Sequence, residues 1–182
     1  IPASNVVAGS KRSNLREDVQ RELARRGQHC RCIRCREVRG QSVDPAALRL
    51  DEVRYEAGGA REHFLQFVTP ENRLAGYLRL SLPDLPSRES ESLAEVLPDL
   101  RGAALVREVH VYGQSLSLTH DSAGATQHSG LGTRLRQHAE AIAHERDYDR
   151  LAVIASLGTR GYYAARGYTL RETYMVKELN GT

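Results

Sequence analysis

The sequence predicts an α/β fold built around a mixed sheet, with a βαβ unit near the end of the chain. Three observations support this prediction: apolar runs of strand length recur after residue 60, a long amphipathic helix follows a glycine-rich turn, and a wholly apolar run comes directly after that helix. Of the 182 residues, 40% are hydrophobic and 27% are charged, as in an ordinary globular domain. No run of 18 apolar residues occurs, so we expect no membrane-spanning segment.

The first 55 residues are predicted to form a basic linker segment. Between residues 10 and 40, ten lysines and arginines stand against four acids. One helix is predicted over residues 14–26, with a basic outer face and a stop at Gly27. It is marked by apolar residues at every fourth position after a capping box: Leu15, Val19 and Leu23, preceded by Asn14 and Glu17.

The rest of the chain, residues 56–182, is predicted to form the main domain. Its elements in order are strand, strand, strand, helix, strand, helix and strand, with a surface excursion over residues 83–100. The predicted strands and helices cover residues 63–68, 74–80, 104–112, 130–147, 151–155, 162–165 and 168–179. The long helix carries one apolar stripe, made of Leu131, Leu135, His138 or Ala139, and Ile142.

A glycine-rich turn, Gln127-His128-Ser129-Gly130-Leu131-Gly132, joins the third strand to the long helix. The first amides of a helix lack intrahelical partners and lie at the positive end of its dipole, so they can bind a diphosphate that approaches a backbone without Cβ atoms. Arg134 and Arg136 are expected to add positive charge there. The six residues alone are equally compatible with a helix that simply begins after a sharp turn.

Three cysteines, Cys30, Cys32 and Cys35, lie within six residues of one another. This spacing is too tight for a disulfide framework and favours a reduced compartment with a tetrahedral zinc ion. A fourth ligand is not evident in the cysteine count, and His29, His63 and His110 are candidates. The alternative is three reduced cysteines without a metal.

The Q-x-x-G-x-G turn between a strand and a helix resembles the coenzyme A loop of the GCN5-related N-acetyltransferases. The segment from Gly158 to Tyr168, with its tyrosine pair, resembles a later motif of the same superfamily. Three further segments, Cys30–Val38, Arg107–Gly113 and Tyr174–Lys177, narrow the resemblance to the Elongator complex protein 3 family, over nearly the whole chain. The resemblance implies the acetyltransferase fold: a mixed, mostly antiparallel central sheet flanked by helices, after the basic, cysteine-bearing linker.

The resemblance also implies a function. The family uses acetyl-CoA to begin 5-carboxymethylation of the wobble uridine of tRNA, and thioester cleavage is expected to be stimulated by tRNA, in the cytoplasm. Its radical S-adenosylmethionine domain, with a 4Fe–4S cluster on a C-x-x-x-C-x-x-C motif, is expected upstream of Ile1, because the cysteines here are spaced C-x-C-x-x-C. Two alternatives stay open: a lysine acetyltransferase acting on protein, and a catalytically silent RNA-binding module.

Matching the chain to the family motif implies roles for individual residues. Glu108, Val109, His110 and Val111 are expected along the pantetheine arm, and Gln127, Gly130, Leu131, Gly132 and Thr133 around the pyrophosphate. Tyr163, which also lines the cofactor site, and then Tyr162 and His110 are the catalytic candidates, because a phenol near the thioester can protonate a thiolate and a histidine can act as a base. Contact with tRNA phosphates is expected from Lys11, Arg12, Arg31, Arg34 and Arg36. Gly161 and Ala57 depart from the family pattern.

Overall fold

The computed structural model describes residues 3–9, 11, 14–39, 43–84, 95–112 and 130–179. The chain divides into two compact units, Ile1–Arg36 and Glu37–Thr182. The predicted linker covered residues 1–55, and its last part, residues 37–55, belongs to the second unit. Within the described residues, no helix combines the length and the apolar character needed to cross a membrane.

The first unit contains two helices, α1 (Leu15–Arg25) and α2 (Ile33–Arg36). The predicted end of α1 at Gly27 is confirmed, because Gly27 has a φ of +66°. Its amide bonds Ala24 O at 3.0 Å, and the Gln28 amide bonds Leu23 O at 2.8 Å. These two bonds form a Schellman motif, which needs a left-handed residue at this position.

The predicted capping box at the start of α1 is wrong. Asn14 makes no side-chain cap bond, and its main-chain oxygen instead accepts the Glu17 amide at 2.9 Å. Leu15 and Val19 are 45% and 49% exposed. The apolar stripe of α1 is therefore present as predicted, but it is only partly covered.

The second unit is built on one sheet of seven strands in the order β1-β2-β3-β4-β5-β7-β6. Its strands are β1 (Arg49–Ala57), β2 (Ala60–Val68), β3 (Leu74–Pro83), β4 (Ala103–Val111), β5 (Arg150–Val153), β6 (Thr169–Leu170) and β7 (Met175–Glu178). Its helices are α3 (Leu131–Glu145) and α4 (Arg160–Ala164). Only the β4–β5 pair is parallel, so the predicted mixed, mostly antiparallel fold is confirmed.

Two strands differ from the sequence prediction. The first strand, β1, was not predicted, because charged residues alternate with its few apolar ones and it lies at the sheet edge, largely exposed. The predicted final strand over residues 168–179 is instead a hairpin of β6 and β7. The Arg171 amide bonds Tyr174 O at 3.0 Å in its turn, so the two short strands pair with each other.

The main core lies between α3 and one face of β2, β3 and β4. Leu135, Ala139 and Ala143 of α3 are fully buried, and they belong to one cluster with apolar residues of the sheet. The sheet contributes Leu65, Phe67, Leu78, Leu80 and Val106 to this cluster. The predicted apolar stripe of the long helix is thereby confirmed, with Ile142 half-buried at its margin.

Candidate functional site

The sheet splits beside the C-terminal half of β4. Ala103 to Val106 pair with β5, and this pairing ends at Val153, where β5 itself ends. Pairing with β3 continues to Val111 after a bulge at Arg107, since Arg79 faces Glu108 and Leu80 faces Val106. Among the described residues, the stretch from Glu108 to Val111 therefore has a strand neighbour on one side only. A strand edge of this kind can pair with the amides of an extended ligand.

The helix α3 begins next to this edge. A Cβ on Gly132 would lie 3.6 Å from Val111 Cγ2, which places the first turn of α3 against the end of β4. Gly130 is the N-cap residue and has no side chain that could bond the first amides. The first main-chain bond within the helix runs from the Arg134 amide to Gly130 O, at 2.9 Å. The amides of Leu131 to Thr133 consequently have no intrahelical acceptor and suit an anion.

Not every residue predicted for this turn can be placed. Gln127 lies outside the described residues, as do His128 and Ser129. Within the described part of the chain, no atom lies within 4 Å of a Cβ built on Gly130.

The tyrosine pair of α4 lies beside the same turn, and the two rings differ in their surroundings. Tyr162 Oη is 3.2 Å from Thr133 Oγ1 in the first turn of α3. Tyr163 packs against the core, with its ring 5.4 Å from that of Tyr168. Burial, and then the neighbouring Tyr162, raise the pKa of Tyr163. Burial thus keeps Tyr163 a neutral phenol and makes it a weaker acid than an exposed tyrosine.

The prediction that Arg136 contributes charge to the turn is wrong. Its guanidinium is buried and forms a salt bridge with Glu140, one turn further along α3. Arg134 lies on the helix surface with its guanidinium 4.4 Å from the centre of the Phe67 ring. A different arginine, Arg166, contacts the tyrosine that reaches this helix: its guanidinium is 3.6 Å from the centre of the Tyr162 ring.

The opposite face of the sheet carries a polar cluster on β3 and β4. The Tyr77 hydroxyl donates to Glu108 Oε1 at 2.7 Å, and His110 Nε2 lies 2.9 Å from the same oxygen. Burial and this hydrogen bond raise the pKa of Tyr77. The His110 ring stacks on Tyr77 at 5.2 Å, and its side chain is 52% exposed. Glu108 and His110 thus share one face, as the alternation of a strand requires.

The three cysteines of the first unit form a compact thiol cluster. Their sulfur atoms all lie within 4.8 Å of one another, and tetrahedral zinc with bonds of about 2.3 Å needs sulfurs roughly 3.8 Å apart. Arg16 Nη2 is 3.0 Å from Cys35 Sγ. The amide of Cys35, then the neighbouring thiols and Arg16, lower the pKa of Cys32 to about 7. Three soft thiol ligands at this spacing, with a lowered pKa at Cys32, fit a zinc ion.

The fourth ligand is not found among the described residues, where the group of possible metal ligands comprises the three cysteines alone. His63 Nδ1 lies 2.5 Å from Glu52 Oε1, and His110 is held by Glu108. His29 is exposed next to Cys30.

The residues predicted to contact RNA lie mostly on the surface. Lys11, Arg31 and Arg34 are exposed and Arg36 is half-buried, whereas Arg12 lies outside the described residues.

Comparison with known proteins shows what the chain is similar to. No protein-family model matches it. It is 42% identical over 191 residues to the tRNA uridine(34) acetyltransferase of Dehalococcoides mccartyi (strain CBDB1), covering 99% of this chain and 39% of that protein. It is 37% identical over 186 residues to Elongator complex protein 3 of Danio rerio, covering 98% of this chain and 32% of that protein. The chain therefore spans about two-fifths or less of the relatives it matches.

A solved structure agrees with these sequence matches. The archaeal Methanocaldococcus infernus Elp3 with an N-terminal deletion is 38% identical and superimposes with a TM-score of 0.73. The match covers 98% of this chain and 42% of that chain. The similarity therefore includes both the cysteine-bearing first unit and the sheet with its split edge.

Proposed function

Because the chain is homologous, over nearly its whole length, to part of the tRNA uridine(34) acetyltransferases and of Elongator complex protein 3, we propose that it is the acetyl-CoA-binding acyltransferase domain of a tRNA-modifying enzyme. The observation that carries the proposal is the juxtaposition of two backbone sites. The edge of β4 from Glu108 to Val111, which has no strand partner on that side among the described residues, lies beside the N-terminus of α3, where Gly132 approaches Val111.

These two backbone sites suit the two ends of coenzyme A. The edge of β4 offers amides and carbonyls in strand spacing, which can pair with the two amides of a pantetheine arm. The amides of Leu131, Gly132 and Thr133 can bind the pyrophosphate. When bound, acetyl-CoA supplies an activated acetyl group as a thioester.

The catalytic candidates come from two elements, α4 and β4. Tyr163, and secondarily Tyr162, are proposed to donate a proton to the departing thiolate. The contact of Tyr162 Oη with Thr133 Oγ1, in the first turn of α3, supports a place for this tyrosine pair at the cofactor site. His110 is proposed to orient or deprotonate the attacking group, with Glu108 holding its Nε2. A charged partner that fixes a histidine in this way is a common arrangement for acid–base work.

The remaining length of the relatives leaves room for a second activity. We propose that the longer protein carries a radical S-adenosylmethionine domain with a 4Fe–4S cluster, and that it uses the acetyl group for 5-carboxymethylation of the wobble uridine in cytoplasmic tRNA. The first unit is proposed to hold a structural zinc ion on Cys30, Cys32 and Cys35. Its cations are proposed to contact the phosphates of tRNA: Lys11, Arg12, Arg31, Arg34 and Arg36.

Calorimetry with acetyl-CoA tests the site directly. We expect saturable binding to the wild-type chain and its loss in Gly132→Asp, because a carboxylate in the first turn repels the pyrophosphate. Ala141→Asp places the same charge on the exposed face of the same helix and is the matched control. Absence of binding to the wild type would leave the chain as a catalytically silent module and overturn the proposal.

Release of free CoA distinguishes a tRNA-modifying acyltransferase from a protein lysine acetyltransferase. We expect tRNA to stimulate release from acetyl-CoA and a lysine-rich peptide to have no effect. Stimulation by the peptide alone would identify a protein lysine acetyltransferase instead. Binding without release under either condition would restrict the cleavage activity to the longer protein.

Elemental analysis of the purified chain tests the metal proposal separately. We expect about one zinc ion per chain.

A further inference from the structure

One cation beside the first turn of α3 comes from a distant part of the sequence. Arg166 follows α4, and its guanidinium lies 3.6 Å from the centre of the Tyr162 ring. Its Nη1 donates to Tyr162 O at 2.8 Å. The hydroxyl of that same tyrosine is 3.2 Å from Thr133 Oγ1. One tyrosine therefore contacts both Arg166 and the side chain of Thr133 in the first turn of α3.

The two arginines within the first turns of α3 differ in their partners, and only one of them is neutralised by a described carboxylate. Arg136 is buried against Glu140, and Arg134 lies over Phe67. Arg166 differs from Arg136, since within the described ranges it has no salt bridge with a carboxylate, and its contacts are a ring face and a main-chain oxygen. Its positive charge is thus not neutralised by a described acid.

Within the described residues, the guanidinium of Arg166 also has free donors and a restricted orientation, both of which favour phosphate binding. A guanidinium carries five N–H donors in one plane, and the bond to Tyr162 O uses only one of its nitrogens. Contact with an aromatic face restricts the plane of the group, so less rotational freedom is lost when two parallel bonds to phosphate oxygens form. A neutral helix start binds an anion through partial charges only, and Arg166 adds a full charge.

We propose that Arg166, held on the Tyr162 ring, binds the pyrophosphate of coenzyme A opposite the α3 amides and makes the site select phosphorylated thioesters. The proposal rests on the proposed function, because it assumes an acetyl-CoA site at this cleft. The pyrophosphate is favoured over the 3′-phosphate because Arg166 lies on the ring of the tyrosine whose hydroxyl contacts Thr133 in the first turn of α3.

Three ligands separate the parts of the coenzyme: acetyl-CoA, acetyl-dephospho-CoA, which lacks the 3′-phosphate, and S-acetylpantetheine, which lacks all phosphates. Binding of each to wild type and to Arg166→Leu is measured by calorimetry. We expect Arg166→Leu to weaken acetyl-CoA and acetyl-dephospho-CoA by about tenfold or more, the effect of losing a charge-assisted contact. S-acetylpantetheine should bind wild type and variant equally. Arg166→Lys should recover part of the loss, because the charge stays while the fork is absent.

Controls keep a folding defect apart from a lost contact. Arg146→Leu removes the same charge at the exposed C-terminal end of α3 and should leave all three affinities unchanged. Urea unfolding of each variant checks the fold. Because the chain has eight tyrosines and no tryptophan, tyrosine fluorescence during titration with inorganic pyrophosphate gives a second readout that needs no turnover.

The possible outcomes separate the role of Arg166 from the acetyl-CoA site itself. Equal affinities of wild type and Arg166→Leu for acetyl-CoA would overturn the proposal, while leaving the acetyl-CoA site itself intact. An effect that disappears with acetyl-dephospho-CoA would assign Arg166 to the 3′-phosphate and overturn the pyrophosphate assignment. A loss that extends equally to S-acetylpantetheine would show a structural role. If the wild type binds none of the three ligands, the proposed function itself fails.

Discussion

The carboxylate of Glu140 on α3 joins side chains from three parts of the second unit. Its Oε1 accepts from Arg136 and, at 2.7 Å, from the Tyr168 hydroxyl. Its Oε2 lies 3.0 Å from Lys177 Nζ. Tyr168 in turn packs edge-on against Tyr163. A single carboxylate therefore satisfies a buried cation and fixes the ring behind the proposed proton donor.

We predict that Glu140→Gln destabilises the chain by about 3 kcal/mol, because removing one partner of a buried pair leaves the other charge unpaired. The side chain of Arg136 is only 8% exposed, so water cannot replace the lost partner. Chemical denaturation measures the change. Glu145→Gln, at the exposed end of the same helix, is the matched control and should cost less than about 0.5 kcal/mol. Equal losses in the two variants would show that Arg136 finds another partner.

The element that shapes the cleft is β4, and the close approach of β3 determines where its second half lies. A Cβ on Gly76 would lie 3.0 Å from His110 O and 3.4 Å from Val111 Cα. Both contacts are with backbone, which cannot rotate away. Glycine at this position therefore lets β3 press against the part of β4 that is proposed to bind pantetheine.

We predict that Gly76→Ala displaces the end of β4, destabilises the chain by about 1–3 kcal/mol through overpacking and weakens acetyl-CoA binding. Gly161→Ala is the contrasting variant. No atom lies within 4 Å of a Cβ at Gly161, and its place inside α4 should yield a gain of roughly 0.5–1 kcal/mol. Thermal unfolding and calorimetry measure both. Unchanged acetyl-CoA affinity in Gly76→Ala would separate β4 from the cofactor site.

Across the whole molecule, charge is distributed unevenly. The chain has a net charge of only +3, yet ten of its 26 basic residues lie between positions 11 and 39. A nucleic acid responds to such local density rather than to net charge, because each neutralised phosphate releases a counterion. The first unit is therefore where salt-dependent contact with tRNA is expected.

We predict that replacing Arg31, Arg34 and Arg36 together by alanine lowers the salt dependence of tRNA binding. The slope of log K against log salt should fall by about 2 units, at roughly 0.7–0.9 per phosphate contact. A control triple in the second unit, Arg101, Arg146 and Arg171 to alanine, changes the net charge equally. Fluorescence anisotropy over a salt series measures both, and zinc content checks the fold of the cysteine cluster. Equal slopes for the two triples would argue against local contact.

The local features of this chain could be predicted because their causes are local. The end of α1 requires only a residue that tolerates a left-handed backbone conformation, and Gly27 is that residue. The buried face of α3 follows from apolar spacing at a period near 3.6. The cysteine cluster spans six residues, so its sulfurs are close in almost any compact conformation. For these features, neighbours in sequence are also neighbours in space.

The amino-acid sequence by itself determined the mixed α/β class, the helix α3 with its glycine-rich start, and the thiol cluster. Only the tertiary structure decided which side chains lie around that start. Arg136 is adjacent in sequence, yet Glu140 and Tyr168 hold it in the interior, while Tyr162, from α4, contacts Thr133 and carries Arg166 on its ring. The split between β4 and β5 likewise depends on where β5 ends relative to a bulge at Arg107. Periodicity reports which face of an element is buried, but pairing and charge compensation are set by contacts between residues far apart in the chain.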